Sequence, residues 1–246
     1  MKDDVKISKQ YTVGDCKKLR QKLMDGEADW SEGFKVFEDR IQSRFLEPIR
    51  KIQSEGENVG EGFSIALISV ILLEFLAAFE LGKIYKFESK SPNVYSSSSN
   101  LLTSFFKKSN LFNSRIKNRN AKDNFYKNIR CGLVHEARTK GNDIIISKSS
   151  QKNTQPNFFY FEDDGEYRLN RDLLIELLKD YISEYQLKIT TESNKSYRKT
   201  FLMKMDGLAG IEHVWYFICG SNLNEEQLNH RLSQLSDIYL FKQNAL

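Results

Sequence analysis

The sequence predicts a mainly α fold, a helical bundle carrying a small β-hairpin insertion and a C-terminal extension. Three observations predict it. Apolar residues recur at three- and four-residue steps over long stretches, one twenty-residue run is apolar all round, and only three prolines interrupt 246 residues. With 40% hydrophobic and 28% charged residues the chain can bury one substantial core. That composition excludes collagenous, disordered and disulfide-scaffold classes. Cys16, Cys131 and Cys219 form no Cys-X-X-Cys pair, which argues against a thiolate metal cage.

From Val13 to about Glu27 weak periodicity marks a peripheral helix. Phe34, Phe37, Ile41, Phe45, Ile49 and Ile52 then mark an amphipathic helix, which Pro48 kinks or divides. A glycine-rich link (Gly56, Gly60, Gly62) leads to the apolar run from Phe63 to Gly82. The run is long enough to span a bilayer. Glu74 in its middle and Glu80 near its end favour a central bundle helix instead. No membrane is expected as a partner. The opening Met-Lys-Asp-Asp-Val is too charged for a secretory signal, so the chain is expected to be soluble and cytoplasmic.

Serine dominates from Ser89 to Asn100, with Pro92 inside, and predicts a mobile surface loop. A helix follows from Asn120 to about Arg138 and stops near Gly141. Isoleucine-rich residues 143–148 suit a strand, and residues 157–162 and 166–169 flank Asp163-Asp164-Gly165 as a hairpin. The β insertion therefore covers about residues 143–169. A strong helix from Arg171 to about Leu187 carries Leu173, Leu174, Leu177, Leu178, Tyr181 and Tyr185 on one face. The last fifty residues hold a mixed segment and a final helix around 225–235. The expected organisation is a helical domain over residues 1–190 with an extension over 191–246 packed on it.

The formal net charge is only +4, but its distribution is uneven. Residues 101–140 hold ten Lys and Arg against Asp123 and Glu136, so the rest of the chain is net acidic. Such asymmetry suits an anionic partner, most simply a phosphate backbone, although a solvated face gives the same count.

Histidine is scarce: His135, His213 and His230 are the only three. On a wheel of ~100° per residue, Phe125, Tyr126, Ile129, Gly132 and Leu133 form one apolar stripe. Arg130 and His135 lie ~140° apart on the other side, with Lys127, Cys131, Val134 and Arg138 between them. Splayed that far, they are not expected to share one small substrate atom within a single helix. A two-fold axis packing this face on its copy would bring them together, so the wheel favours a symmetric dimer with a shared basic cleft.

Arg130-X4-His135, preceded by Phe125-Tyr126-X-X-Ile129, resembles the HEPN superfamily, whose hallmark is Arg-X4–6-His. The string from Ile129 to Ala137 (Ile-Arg-Cys-Gly-Leu-Val-His-Glu-Ala) is similar to a plasmid-borne bacterial HEPN subfamily. The likeness covers about residues 30–190. It implies a HEPN-type bundle acting as a homodimeric, metal-independent endoribonuclease with single-stranded RNA crossing the dimer interface. By position, Arg130 and His135 become the catalytic pair. The two side-chain types suit this chemistry. Imidazole can take the proton of a ribose 2′-OH, and a guanidinium can hold charge building on phosphoryl oxygens. Cleavage would leave a 2′,3′-cyclic phosphate and require no cofactor and no metal. The resemblance also implies a toxin or antiphage defence role, with an antitoxin or regulatory protein as a further partner. Cys131 departs from the polar residue that many members carry after the arginine. The alternative is a non-catalytic HEPN-type module that binds nucleic acid, nucleotide or a protein.

Around the pair, Glu74 is a candidate to orient Arg130, with Arg40 or Arg44 as rival partners. Tyr126 can meet RNA, though core packing is the expectation for an aromatic on that stripe. Cys131 is a supporting residue before it is a nucleophile, since a reactive thiolate needs a lowered pKa. Lys127 and Arg138 are candidates for RNA backbone contacts. Gly220-Ser221 lacks the Asp-X-Asp that nucleotidyl transfer needs, and no phosphate-binding loop, His-Glu-X-X-His or Gly-X-Ser-X-Gly occurs.

Overall fold

The computed structural model describes residues 1–55, 60–86, 94–116, 119–147, 156–191 and 194–211. The chain is mainly helical, and it divides into two units. The first is drawn from Met1–Ser43, Ala78–Ser97 and Gln186–Leu246, the second from Arg44–Ala77 and Ser98–Tyr185. The β insertion lies in the second, and the described residues beyond 190 lie in the first. The final helix expected near 225–235, His213 and His230 lie outside the described residues.

In the first unit α1 (Val13–Asp25) starts on a capping box in which Thr12 and Asp15 satisfy each other's backbone N–H groups. It ends where Gly26 takes φ +74°, a conformation glycine adopts without steric cost. Phe34 and Phe37 of α2 (Trp30–Ile41) pack with Phe79 and Phe201 into one ring cluster, centroids 4.5–6.5 Å apart. Phe201 belongs to a helix, residues 195–208, within the stretch whose sequence pattern is mixed. From the same helix Asp206, 2% exposed, accepts from Arg20 Nε through both carboxylate oxygens, at 2.7 and 2.8 Å.

The second unit begins within a π-turn, Gln42–Leu46, leading into α3 (Glu47–Ser54) with Pro48 in its first turn. Pro48 therefore sits where its missing N–H costs nothing, and the expected kink is the wide turn before it. The next helix, α4 (Glu61–Glu80), is long and apolar enough by composition to cross a membrane, and 56% of its most apolar window is buried in the chain. Ile65, Ala66, Val70, Leu72, Leu73, Leu76 and Ala77 are fully buried, as a central helix requires.

The serine-rich segment expected as a loop is helical from Ser98. The helix α5 (Ser98–Lys108) follows a buried stripe of Leu101, Leu102, Phe105 and Phe106, a four-residue repeat that outweighs the serines before it. Residues 89–93 of that loop lie outside the described residues. After α6 (Asn110–Arg115), the helix expected from 120 to 138 is three pieces: α7 (Arg119–Asn124), a π-turn over Phe125–Arg130, and α8 (Cys131–Glu136). It closes at Ala137, with φ +51°, earlier than Gly141 suggested.

The three-stranded sheet has order β1–β3–β2, numbered within the insertion as β1 (Ile144–Ile146), β2 (Phe159–Phe161) and β3 (Tyr167–Asn170). The hairpin around Asp163-Asp164-Gly165 forms as expected, with Phe159 opposite Leu169. The first strand adds in parallel, Ile145 opposite Leu169. The last helix of the unit, α9 (Arg171–Thr190), lays Tyr181 against Phe105 and Phe112, and Phe125 meets Phe106, Phe158 and Phe159. This aromatic core is what holds the π-turn in place from beneath.

Asp206→Ala should lower the unfolding free energy by about 3–5 kcal/mol, because a charged Arg20 loses its carboxylate in a buried setting. The double change Arg20→Met with Asp206→Leu should recover most of that loss in urea titrations followed by circular dichroism.

Candidate active site

Helix α4 supplies Glu74, α5 its first residue Ser98, the π-turn Tyr126 and Arg130, and α8 Cys131 and His135. Arg130 is the hub. Its Nε and Nη2 donate to Glu74 Oε2 at 3.0 and 2.9 Å, and Nη2 also donates to Ser98 Oγ at 3.1 Å. Ser98 in turn donates to Glu74 Oε1 at 2.6 Å, so the carboxylate is held through both oxygens. Both charged side chains are only 15% exposed. Burial works against the guanidinium's charge, but the adjacent Glu74 carboxylate outweighs it and holds Arg130 above the usual arginine range.

The remaining edge of the guanidinium faces solvent. Arg130 Nη1 lies 3.3 Å from His135 Nε2, and His135 is exposed. A guanidinium can only donate, so a hydrogen bond between the two has Nε2 as its acceptor. This corrects the expectation that the two residues are too splayed to meet within one protomer. The ~140° between their Cα–Cβ directions is real on a wheel, but the length of the arginine side chain spans it. The wheel therefore supplies no reason for a dimer.

The π-turn sets the approach. Cys131 N–H bonds to Tyr126 carbonyl oxygen five residues back, and the wider winding stacks Arg130 above Tyr126, with Cζ 6.0 Å from the ring centroid. Tyr126 is half-buried, neither a full core residue nor free. Burial first, then its hydrogen bond with Cys131, pushes the phenol above its ordinary range. Cys131 is a free, half-buried thiol whose place is to hold Tyr126.

The other candidates diverge from this cluster. Arg138 binds Glu136 through Nε at 3.0 Å and Nη2 at 2.9 Å, and Lys140 takes the other oxygen of Glu136 at 2.7 Å. Arg138 thus spends its charge locally. Lys127 is exposed within the π-turn. Ile71 and Val134, on α4 and α8, are exposed apolar neighbours in sequence of Glu74 and His135. Ser98 is a participant that sequence reasoning missed. The four-residue repeat from Leu101 places a helix start near Ser98, but nothing in the sequence singles it out among the serines at 96–99. Among the described residues, no group of three or more His, Cys, Asp and Glu side chains converges as a metal cage would.

Gly132 closes the construction. A Cβ there would run into the backbone oxygen of Arg138 and approach Lys140 N within 3.2 Å, where the chain turns back to bond Asn128 O through Lys140 N. Comparison with known proteins returns no match to any family model, curated protein or solved structure.

Glu74→Ala should cost about 3 kcal/mol of stability, since it strands a mostly buried guanidinium. His135→Ala, at an exposed edge, should stay within about 0.5 kcal/mol of the parent in the same denaturant titration. Gly132→Ala should cost about 1–3 kcal/mol, because backbone rather than side chain must yield.

Proposed function

We propose that the chain is a metal-independent endoribonuclease of HEPN type that cleaves single-stranded RNA at Arg130 and His135. The observation that carries the reading is the 3.3 Å approach of Arg130 Nη1 to His135 Nε2 at an exposed edge, with the far side of the guanidinium anchored by Glu74 and Ser98. A fixed cation beside a neutral imidazole nitrogen is the pairing that 2′-OH attack needs.

In the reaction, His135 Nε2 takes the proton of the ribose 2′-OH as that oxygen bonds to phosphorus. Arg130 Nη1 holds the phosphoryl oxygens while charge builds on them. The bond from phosphorus to the 5′-oxygen breaks, and that oxygen takes a proton from an acid, either water or the imidazole of a second copy. The products are a 2′,3′-cyclic phosphate and a free 5′-hydroxyl. A homodimer with two Arg-X4-His motifs facing one strand completes the reading, and exposed Ile71 and Val134 are the apolar groups such an interface would cover. A cytoplasmic toxin or antiphage effector, controlled by an antitoxin or other regulatory protein, is the biological role this activity would serve.

Two observations favour the second reading, a HEPN-type module that binds nucleic acid, nucleotide or a protein without cutting. Glu74 pairs the charge of Arg130, and Cys131 is engaged with Tyr126. A neutralised arginine binds phosphate less strongly than a bare one.

Purified protein in EDTA should cleave a single-stranded RNA oligomer to 2′,3′-cyclic phosphate ends, resolved by gel mobility and mass. His135→Ala should lose about 10²–10⁴ in rate while keeping its fold. An RNA with 2′-deoxyribose at the cleaved position should resist. Binding without any cleavage selects the second reading, and sedimentation showing monomer at high micromolar concentration removes the dimer.

A further inference from the structure

His135 lies on a helix too short to hold its own place. With six residues, α8 has few bonds of its own, so its position is set by what ties it at each end. Before its start, Arg130 is anchored by Glu74 and Ser98. Past its end the chain turns at Ala137 and runs back over the π-turn. Arg138 N–H donates to Gly132 O at 3.3 Å, and Lys140 N–H donates to Asn128 O at 2.9 Å. Glu136, next to His135, holds the returning segment through Arg138 and Lys140. A Cβ on Gly141 would come within 3.3 Å of Asn128 Nδ2, so the return lies directly against the π-turn.

Asp143, 7% exposed and one residue before β1, closes this return. Its Oδ2 accepts from Asn124 Nδ2 at 3.3 Å, and Asn124 Oδ1 accepts from Asn128 Nδ2 at 2.6 Å. Its carbonyl oxygen accepts from Thr139 Oγ1 at 2.6 Å. The carboxyl also accepts from Asn128 and from the backbone N–H of Tyr167 in β3. Burial pushes this carboxyl above the usual carboxylate range, and the three donors work against that. An acid in such a place costs desolvation that an apolar side chain would not, so filling space does not account for it. None of its partners is Arg130 or His135, so Asp143 acts through the segment that carries them. Side-chain bonds from Asp143 to Asn124 and Asn128, with the backbone bond from Lys140 to Asn128, close a ring around that segment.

We infer that Asp143 is a positioning residue for the cleavage reaction: through Asn124 and Asn128 it fixes the π-turn against the return from α8, and so sets His135 Nε2 against Arg130 Nη1. The inference rests on the ribonuclease reading and adds a residue from the β insertion that orders the reacting pair.

The test measures kcat and KM of the full chain on a single-stranded RNA oligomer. Asp143→Asn keeps the size of the side chain but turns an amide N–H toward one of three donors, so the network breaks. It should lower kcat by about 10–10²-fold, the cost of a small misplacement of reacting groups, and leave KM unchanged. Asn124→Ala, at a half-buried position, removes the middle of the relay and should act in the same direction, which serves if Asp143→Asn fails to fold. Asn124→Asp combined with Asp143→Asn restores an acceptor facing two amide donors, and should recover most of kcat. Hydrogen exchange of the Lys140 amide, read by NMR, should speed up in Asp143→Asn and slow again in the exchanged pair. Faster exchange at Lys140 with kcat unchanged overturns the inference and leaves the nuclease reading standing. A raised KM with kcat unchanged does the same, as does an exchanged pair that regains protection at Lys140 but not kcat. A parent chain that cuts no RNA overturns both.

Discussion

The ion pair between Arg130 and Glu74 is the constraint on which the site depends. It joins the middle of an otherwise apolar helix to the π-turn, and through Ser98 it takes in the first residue of α5. An ionised carboxylate inside α4 is costly to desolvate unless its oxygens are satisfied, and both are. The same bonds leave one edge of the guanidinium pointing outward, to the histidine. Anchoring and outward exposure are therefore divided between opposite sides of one side chain. Such a pair contributes little net stability compared with a well-packed apolar substitute, so its value lies in fixing geometry.

Much of this was legible in the sequence, and the failures have physical causes. The four-residue repeats marked the long helices, and the Asp163-Asp164-Gly165 turn marked the hairpin with its strands. Glu74 stood out because a charge in an apolar run must have a partner, and Arg130 proved to be one. What periodicity could not show was the π-turn, since a wheel assumes constant winding and Cα directions rather than side-chain reach. That is why a wheel separates Arg130 from His135 and calls for a second chain to unite them. Ser98 was hidden by composition: serines are turn-formers in aggregate, yet this one begins a helix and is buried. The helix at residues 195–208 has charged residues on its buried face, Arg198, Lys204 and Asp206, which weakens any apolar pattern.

Charge counted along the chain overstates the charge available to a ligand. Of the basic residues between 101 and 140, Arg130 is paired with Glu74, Arg138 and Lys140 share Glu136, and Arg115 donates to the carbonyl of Pro156 at 2.9 Å. Arg119 approaches Asp123 at 4.0 Å, a loose pair across one helical turn. The basic run is thus not a uniform patch. Recognition of an anionic strand would depend on how the individual side chains are paired rather than on net charge.

The π-turn at Phe125–Arg130 makes the site a question of counting. It holds one residue more than a regular helix would in the same span, and Phe125 and Ile129 anchor it in the core from below. Removing one residue there lets the segment heal into ordinary helix with everything after it facing as before, whereas adding one more ahead of Arg130 swings everything after it by about 100° relative to the anchor. Arg130 and His135 would then travel together, still neighbours, but facing away from Glu74. Descendants of this chain can thus shorten the segment by one residue more safely than they can lengthen it.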